Sequence, residues 1–191
     1  MEENPLIQRL DFIALIFANL LLFVGMLVWG WSALDVLLVY WAESAIIGFF
    51  TVARIFLSKE KLPLKVFLSG FFCFHFGIFM FVHLMFIIAF TSIISTVAFD
   101  RFSSMTWFAQ VFIILIGLFL AQLLAFLKDF SIIEKASIAN QMFKPYPRIF
   151  VMQITIIFGF MLALFFPPLI VIIKLLAELA FEKVPFLKSW K

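Results

Sequence analysis

The sequence predicts an all-α fold: a polytopic transmembrane bundle of about six helices, with both termini on the cytoplasmic side. Three observations predict it. Of 191 residues, 66% are hydrophobic and only 13% are charged. A soluble domain is about 45–50% apolar with about a quarter charged residues. The charges punctuate long uncharged runs, and the seven prolines all fall outside the centres of those runs. Thirty phenylalanines against two tyrosines describe a surface that faces lipid rather than water.

The elements follow in order. Residues 12–34 carry no charge, and 36–53 carry only Glu43. Residues 66–99, 102–127 and 149–173 are uncharged throughout. A helix of about 20 apolar residues crosses about 30 Å of hydrocarbon. In lipid a segment satisfies its own amides, so helices are expected. The Leu/Ile/Phe runs lack the alternation of a membrane barrel. Proline stops a helix because it has no amide hydrogen and clashes with the preceding turn. Pro167-Pro168 therefore divides the last run in two. The run from Leu64 to Phe99 exceeds one crossing, so its membrane part is placed to end near Phe90, where Thr91, Ser92, Ser95 and Thr96 begin. The predicted spans are 11–31, 35–57, 64–90, 106–128, 149–166 and 168–183, in one domain over residues 1–191.

Lysine and arginine positions set the orientation. With six crossings, one side holds Arg9; Arg54, Lys59, Lys61 and Lys65; Lys128, Lys135, Lys144 and Arg148; and Lys183, Lys188 and Lys191. The other side holds Arg101 alone, with Lys174 inside the sixth helix. This asymmetry supports a multi-pass protein of the cytoplasmic (inner) membrane. The first apolar run follows Met-Glu-Glu without a basic leader and reads as a retained helix. Net charge is +3. The bilayer explains the basic residues better than nucleic acid does, since no basic patch is interleaved with exposed aromatics. Trp29, Trp31, Trp107 and Tyr146 are placed at membrane interfaces as anchors.

Polar or ionisable residues inside the helices mark the candidate site: Glu43, His83, Lys174, Glu178, His75, Asn19 and Gln122, with Gln153 in the fifth helix. Charges at membrane depth cost a few kcal/mol, so they face the bundle interior and find partners. At about 1.5 Å per residue, Glu43, His83 and Lys174 lie about 12, 10 and 9 Å below the outer side. They arrive at one level. Glu178 follows Lys174 by one turn on the same face. One reading is an ion-pair network that fixes helix register; the other is a site for a headgroup, ion or proton. His75 and His83 read as interhelical hydrogen-bonding groups or as metal or haem ligands. Eight residues apart, they stand about 12 Å apart along the helix, so one metal ion cannot take both. Cys73 and His75, two apart, diverge on a helix. No catalytic set is recognisable, which points away from an enzyme, and no cofactor is favoured. Ser69, Cys73 and Gly77, like Ser44 and Gly48, form small-residue ridges that suit close helix packing. Trp41, beside Glu43, is placed in the polar layer.

Tyr40-Trp41-Ala42-Glu43-Ser44, followed by Gly48-Phe49-Phe50, resembles the box of an uncharacterised bacterial and archaeal integral-membrane family, a domain of unknown function. Asn19, Phe71-Phe72, His75-Phe76-Gly77, His83, Pro145-Tyr146 with Arg148, Gly159, and the Lys174/Glu178 pair agree in order. The resemblance covers almost the whole chain and carries no activity with it. It implies histidines near Gln122 and Gln153 and an asparagine at Ser44, so this chain departs from the pattern at two possible ligands. That departure weakens a metal or haem reading.

Two functions follow. The first is a non-catalytic subunit or scaffold, working with membrane-protein partners or as a homo-oligomer. The second is an intramembrane site at Glu43, His83 and Lys174 for a lipid headgroup, quinone, metal or haem, with chemistry or transport. Transport is the weaker form of it, because six unrepeated helices show no duplicated halves.

Overall fold

The computed structural model describes residues 20, 22–94, 104–133, 137–163, 171–176 and 179. Among these residues all regular structure is helical, with no strand. A helical segment at 22–28 precedes α1 (Ala33–Leu57), α2 (Leu62–Ile94), α3 (Met105–Lys128), α4 (Phe130–Ile133), α5 (Ile138–Phe143) and α6 (Tyr146–Ala163). A last helical segment lies at 171–176. Three of these helices (α1, α2 and α3) are long and apolar enough to cross a membrane. Asn19, Glu178 and the Pro167-Pro168 divide lie outside the described residues.

Helix α1 starts sharply. Gly30 has a positive φ of 63°, which only glycine adopts freely, and it turns the chain after segment 22–28. Ser32 is the N-cap: the Asp35 amide donates to Ser32 Oγ at 3.4 Å, and the Ser32 amide donates to Asp35 Oδ2 at 2.6 Å. This reciprocal pair satisfies two amides that the helix leaves open. Asp35 is 1% exposed and also accepts from Trp107 Nε1 at 2.7 Å, which ties the start of α3 to the start of α1. At the other end, Arg54 lies 3.7 Å from Asp129 and over the Phe126 ring. Helices α1 and α3 therefore run parallel.

Helix α2 runs antiparallel to α1 after a short turn. Trp41 Nε1 donates to the Met80 carbonyl at 2.7 Å, and Phe76 packs on Gly48. At the turn, Lys65 Nζ donates to the Phe56 carbonyl. Helix α1 is the hub: it packs on α2, α3, α5 and α6, and half of its apolar stretch is buried against 6% for α3. Phenylalanines cover the outward faces of α2 (Phe67, Phe74, Phe81) and α3 (Phe108, Phe112).

Helix α2 continues through Ile94, a turn beyond the point near Phe90 where its membrane part is placed to end. Several sequence expectations are corrected. Trp31 and Trp107 turn inward instead of anchoring at an interface, because their indole N–H groups have acceptors there: Gln110 Oε1 at 3.0 Å for Trp31, and Asp35 for Trp107. Trp29 stays exposed. Trp41 turns its indole towards α2. Of the two small-residue ridges, Gly48 receives a ring, whereas Cys73 and Gly77 face outward.

The largest difference is in the stretch predicted as a loop between the fourth and fifth spans. It forms α4 and α5 and folds into the bundle. Ile133, Ile138, Gln141 and Met142 are buried, and Gln141 Nε2 donates to the Ile133 carbonyl at 2.9 Å. Tyr146 packs against Phe72, His75 and Phe76. Those residues lie about 15–20 Å along α2 from Leu62, so α6 begins deep inside the bundle. Apolar side chains in this stretch require cover, and the bundle provides it.

A Cβ at Gly48 would lie 2.7 Å from Phe76 Cε1. Phe76 is itself held by stacking on Phe72 and by Tyr146. Gly48→Ala is expected to destabilise the protein by about 1–3 kcal/mol through overpacking. Gly77→Ala, which meets nothing within 4 Å, is expected to lack that steric cost. Thermal unfolding in detergent, followed by circular dichroism, distinguishes the two.

Candidate functional site: a buried ionic cluster

Three sequence-distant elements meet around one turn of α1. Tyr40, Glu43 and Ser44 share a face of that helix by their spacing of three and four. Tyr40 is 0% exposed and Glu43 is 6% exposed. Arg148, in the first turn of α6, pairs directly with Glu43 Oε2. Lys174, in segment 171–176, lies 3.9 Å from the same oxygen and is 1% exposed. Both cations also rest on the Tyr40 ring, Arg148 at 5.0 Å and Lys174 at 4.5 Å from its centroid. The ring's negative face adds an attraction that strengthens when water is excluded. Ser44 Oγ donates to the Tyr40 carbonyl at 3.0 Å and accepts from Arg148 Nε at 3.4 Å. The Met152 sulfur packs on that hydroxyl at 4.0 Å.

Among the described residues, the cluster is one acid held by two cations on an aromatic plate. A charge moved out of water costs several kcal/mol unless it is paired and hydrogen-bonded. Here the carboxylate is paired twice.

The predicted site residues divide into groups. Glu43 and Lys174 come together. His83 is 3% exposed, its ring Nδ1 lies 2.6 Å from the Phe79 carbonyl, and among the described residues no hydrogen bond or ion pair joins it to Glu43 or Lys174. His75 Nδ1 is 2.7 Å from the Tyr146 hydroxyl, and its ring stacks on Phe71 and meets Phe79 edge-on. Gln122 is half-buried on α3, and no hydrogen bond joins it to the cluster. Asn19 and Glu178 fall outside the described residues. Among the described residues, no group of three His, Cys, Asp or Glu is placed to hold a metal. Cys73 is exposed.

One cluster member, Arg148, escaped sequence reasoning, as did Asp35 at the start of α1. Arg148 is counted there as a loop charge, yet its head reaches Glu43. Its signal is that it stands against the uncharged run of 149–173. Asp35 was not singled out, although Ser32-Ala33-Leu34-Asp35 has the spacing of a capping box.

A family model described as a family of unknown function (DUF6498) matches residues 1–183. The chain belongs to that family. No curated protein and no solved structure matches it. Membership agrees with the uncharacterised family suggested by the sequence motifs and assigns no activity to the Glu43 cluster.

Glu43→Gln leaves two buried cations without their acid, and Arg148→Met removes the directly paired one. Each single change is expected to cost about 3–5 kcal/mol of stability, as breaking a buried pair does. The double variant is expected to lose less than the sum of the two, because the groups share one interaction. A double-mutant cycle by thermal unfolding in detergent checks this; strict additivity would refute the pairing.

Proposed function

We propose that this DUF6498 protein is a multi-pass protein of the cytoplasmic membrane that serves as a non-catalytic subunit or scaffold in a membrane assembly. In this reading the chain crosses six times and keeps both termini in the cytoplasm. The observation that carries it is that Arg148 and Lys174, from two distant segments, both pair with Glu43. Groups used in this way join α1, α6 and segment 171–176 and register them. A wide phenylalanine-rich exterior on α2 and α3 supports contact with lipid and with neighbouring proteins. Arg54, Lys59, Lys61, Lys65 and Lys128 all belong to the end of the bundle where α1 and α3 finish, as expected of a cytoplasmic face. Arg148 leaves that set, and the asymmetry does not depend on it.

Native mass spectrometry of the protein extracted in a gentle detergent tests the reading. The expected result is an oligomer or a co-purifying membrane protein; a lone 22.1 kDa chain overturns it.

The second reading is an intramembrane binding site for a lipid headgroup, quinone, metal or haem. Its residues are Glu43, His83 and Lys174, and the observation favouring it is His83, buried in the bundle with no hydrogen bond or ion pair to Glu43 among the described residues.

A further inference from the structure

His83 has a nitrogen with nothing to do. Its Nδ1 lies against the Phe79 carbonyl, which only accepts, so Nδ1 carries the proton and donates. In the neutral ring Nε2 is then a bare lone pair. It is buried and has no hydrogen-bond partner among the described residues. Buried polar atoms are almost always partnered, and an exception calls for an occupant or a role. One ring N–H fixed on a backbone carbonyl, with the other nitrogen bare, is also how proteins orient a histidine that ligates a metal.

The neighbouring donor is soft. Along the bundle side of α2 the buried residues are Ser69, Phe72, Phe76, Met80, His83 and Ile87. Met80 precedes His83 by three, which puts the two side chains on one face with Cβ atoms about 5–6 Å apart. The hydrogen bond to Phe79 lays the imidazole back over the turn that carries Met80. That turn is pinned to α1 by Trp41 Nε1 on the Met80 carbonyl.

A neutral imidazole with a thioether is a soft, uncharged donor set. Such donors select Cu(I), whereas Mg²⁺, Ca²⁺ and Mn²⁺ ask for carboxylate or carbonyl oxygens. We propose that His83 Nε2 and Met80 Sδ form a buried Cu(I) site on the bundle face of α2, beside its contact with α1. The site deepens the second reading, an intramembrane site that includes His83, and rests on it rather than on the scaffold role. A buried methionine is also a common filler of core gaps, so the test has to separate ligation from packing.

The full chain is purified in detergent with Cys73→Ser, which removes the exposed thiol, and titrated with Cu(I) under ascorbate against a chromophoric Cu(I) chelator. The expected result is one bound Cu(I) per chain, with nitrogen and sulfur scatterers in X-ray absorption. His83→Phe is expected to lose it, Met80→Leu to weaken it, and His75→Phe to retain it. Met80→Leu conserves volume and so tests the donor without depending on whether His83→Phe folds. The proposal is overturned if no Cu(I) is bound, if Met80→Leu binds as the parent does, or if the bound metal shows no sulfur neighbour.

Discussion

Burial of the Glu43 carboxylate sets the arrangement of everything around it. An acid in the middle of an apolar helix has no water to solvate it, so the fold has to bring it cations. Arg148 and Lys174 come from far along the chain and converge on one oxygen. That convergence fixes where α6 starts. Pro145 and Pro147 suit the position: the first turn of a helix needs no amide donor, and Pro147 stands there. Helices α4 and α5 carry the chain inward, and Tyr146 settles on Phe72, His75 and Phe76. The ionic pair and this aromatic contact hold the same helix start from two sides.

The hub helix is also held at its ends. At one end, Asp35 with Trp107 and Trp31 with Gln110 join α1 and its lead-in to α3. At the other, Arg54 meets Asp129 and Phe126. Between these polar ends α3 contributes mainly aromatic contact, with Phe119 and Phe126 on Phe50. In an apolar surrounding, hydrophobic burial does not choose one face of an apolar helix over another. Directional bonds at both ends therefore decide how α3 is rotated.

The long helices were legible in the sequence because uncharged length is a strong signal, and Ser58 with Lys59, Glu60 and Lys61 marks the turn after α1. Glu43 and Lys174 were legible because a charge inside an apolar run has few explanations. Arg148 was not, because it stands at the edge of such a run, where a charge equally suits an interface. Its assignment depended on the depth at which α6 begins, which is a tertiary property. Residues 130–146 read as a loop for the same reason: α4 and α5 are too short for periodicity to register. The tryptophans were misplaced because an interfacial anchor and a buried donor have the same composition, and only the acceptors Asp35 and Gln110 tell them apart. His83 was found as an intramembrane imidazole. Its hydrogen bond to the Phe79 carbonyl was not, because height along a helix is readable from residue number, whereas the partner a side chain takes depends on how it is turned.

The separation of Glu43 from its cations along the chain bears on how the protein is made. Glu43 leaves the ribosome about a hundred residues before Arg148, which at typical synthesis speeds is roughly 5–20 s. Throughout that interval the acid is without either cation. A carboxyl group in that position lowers its cost by taking up a proton or by staying beside water or protein, so the ion pairs form only once the C-terminal third has been made.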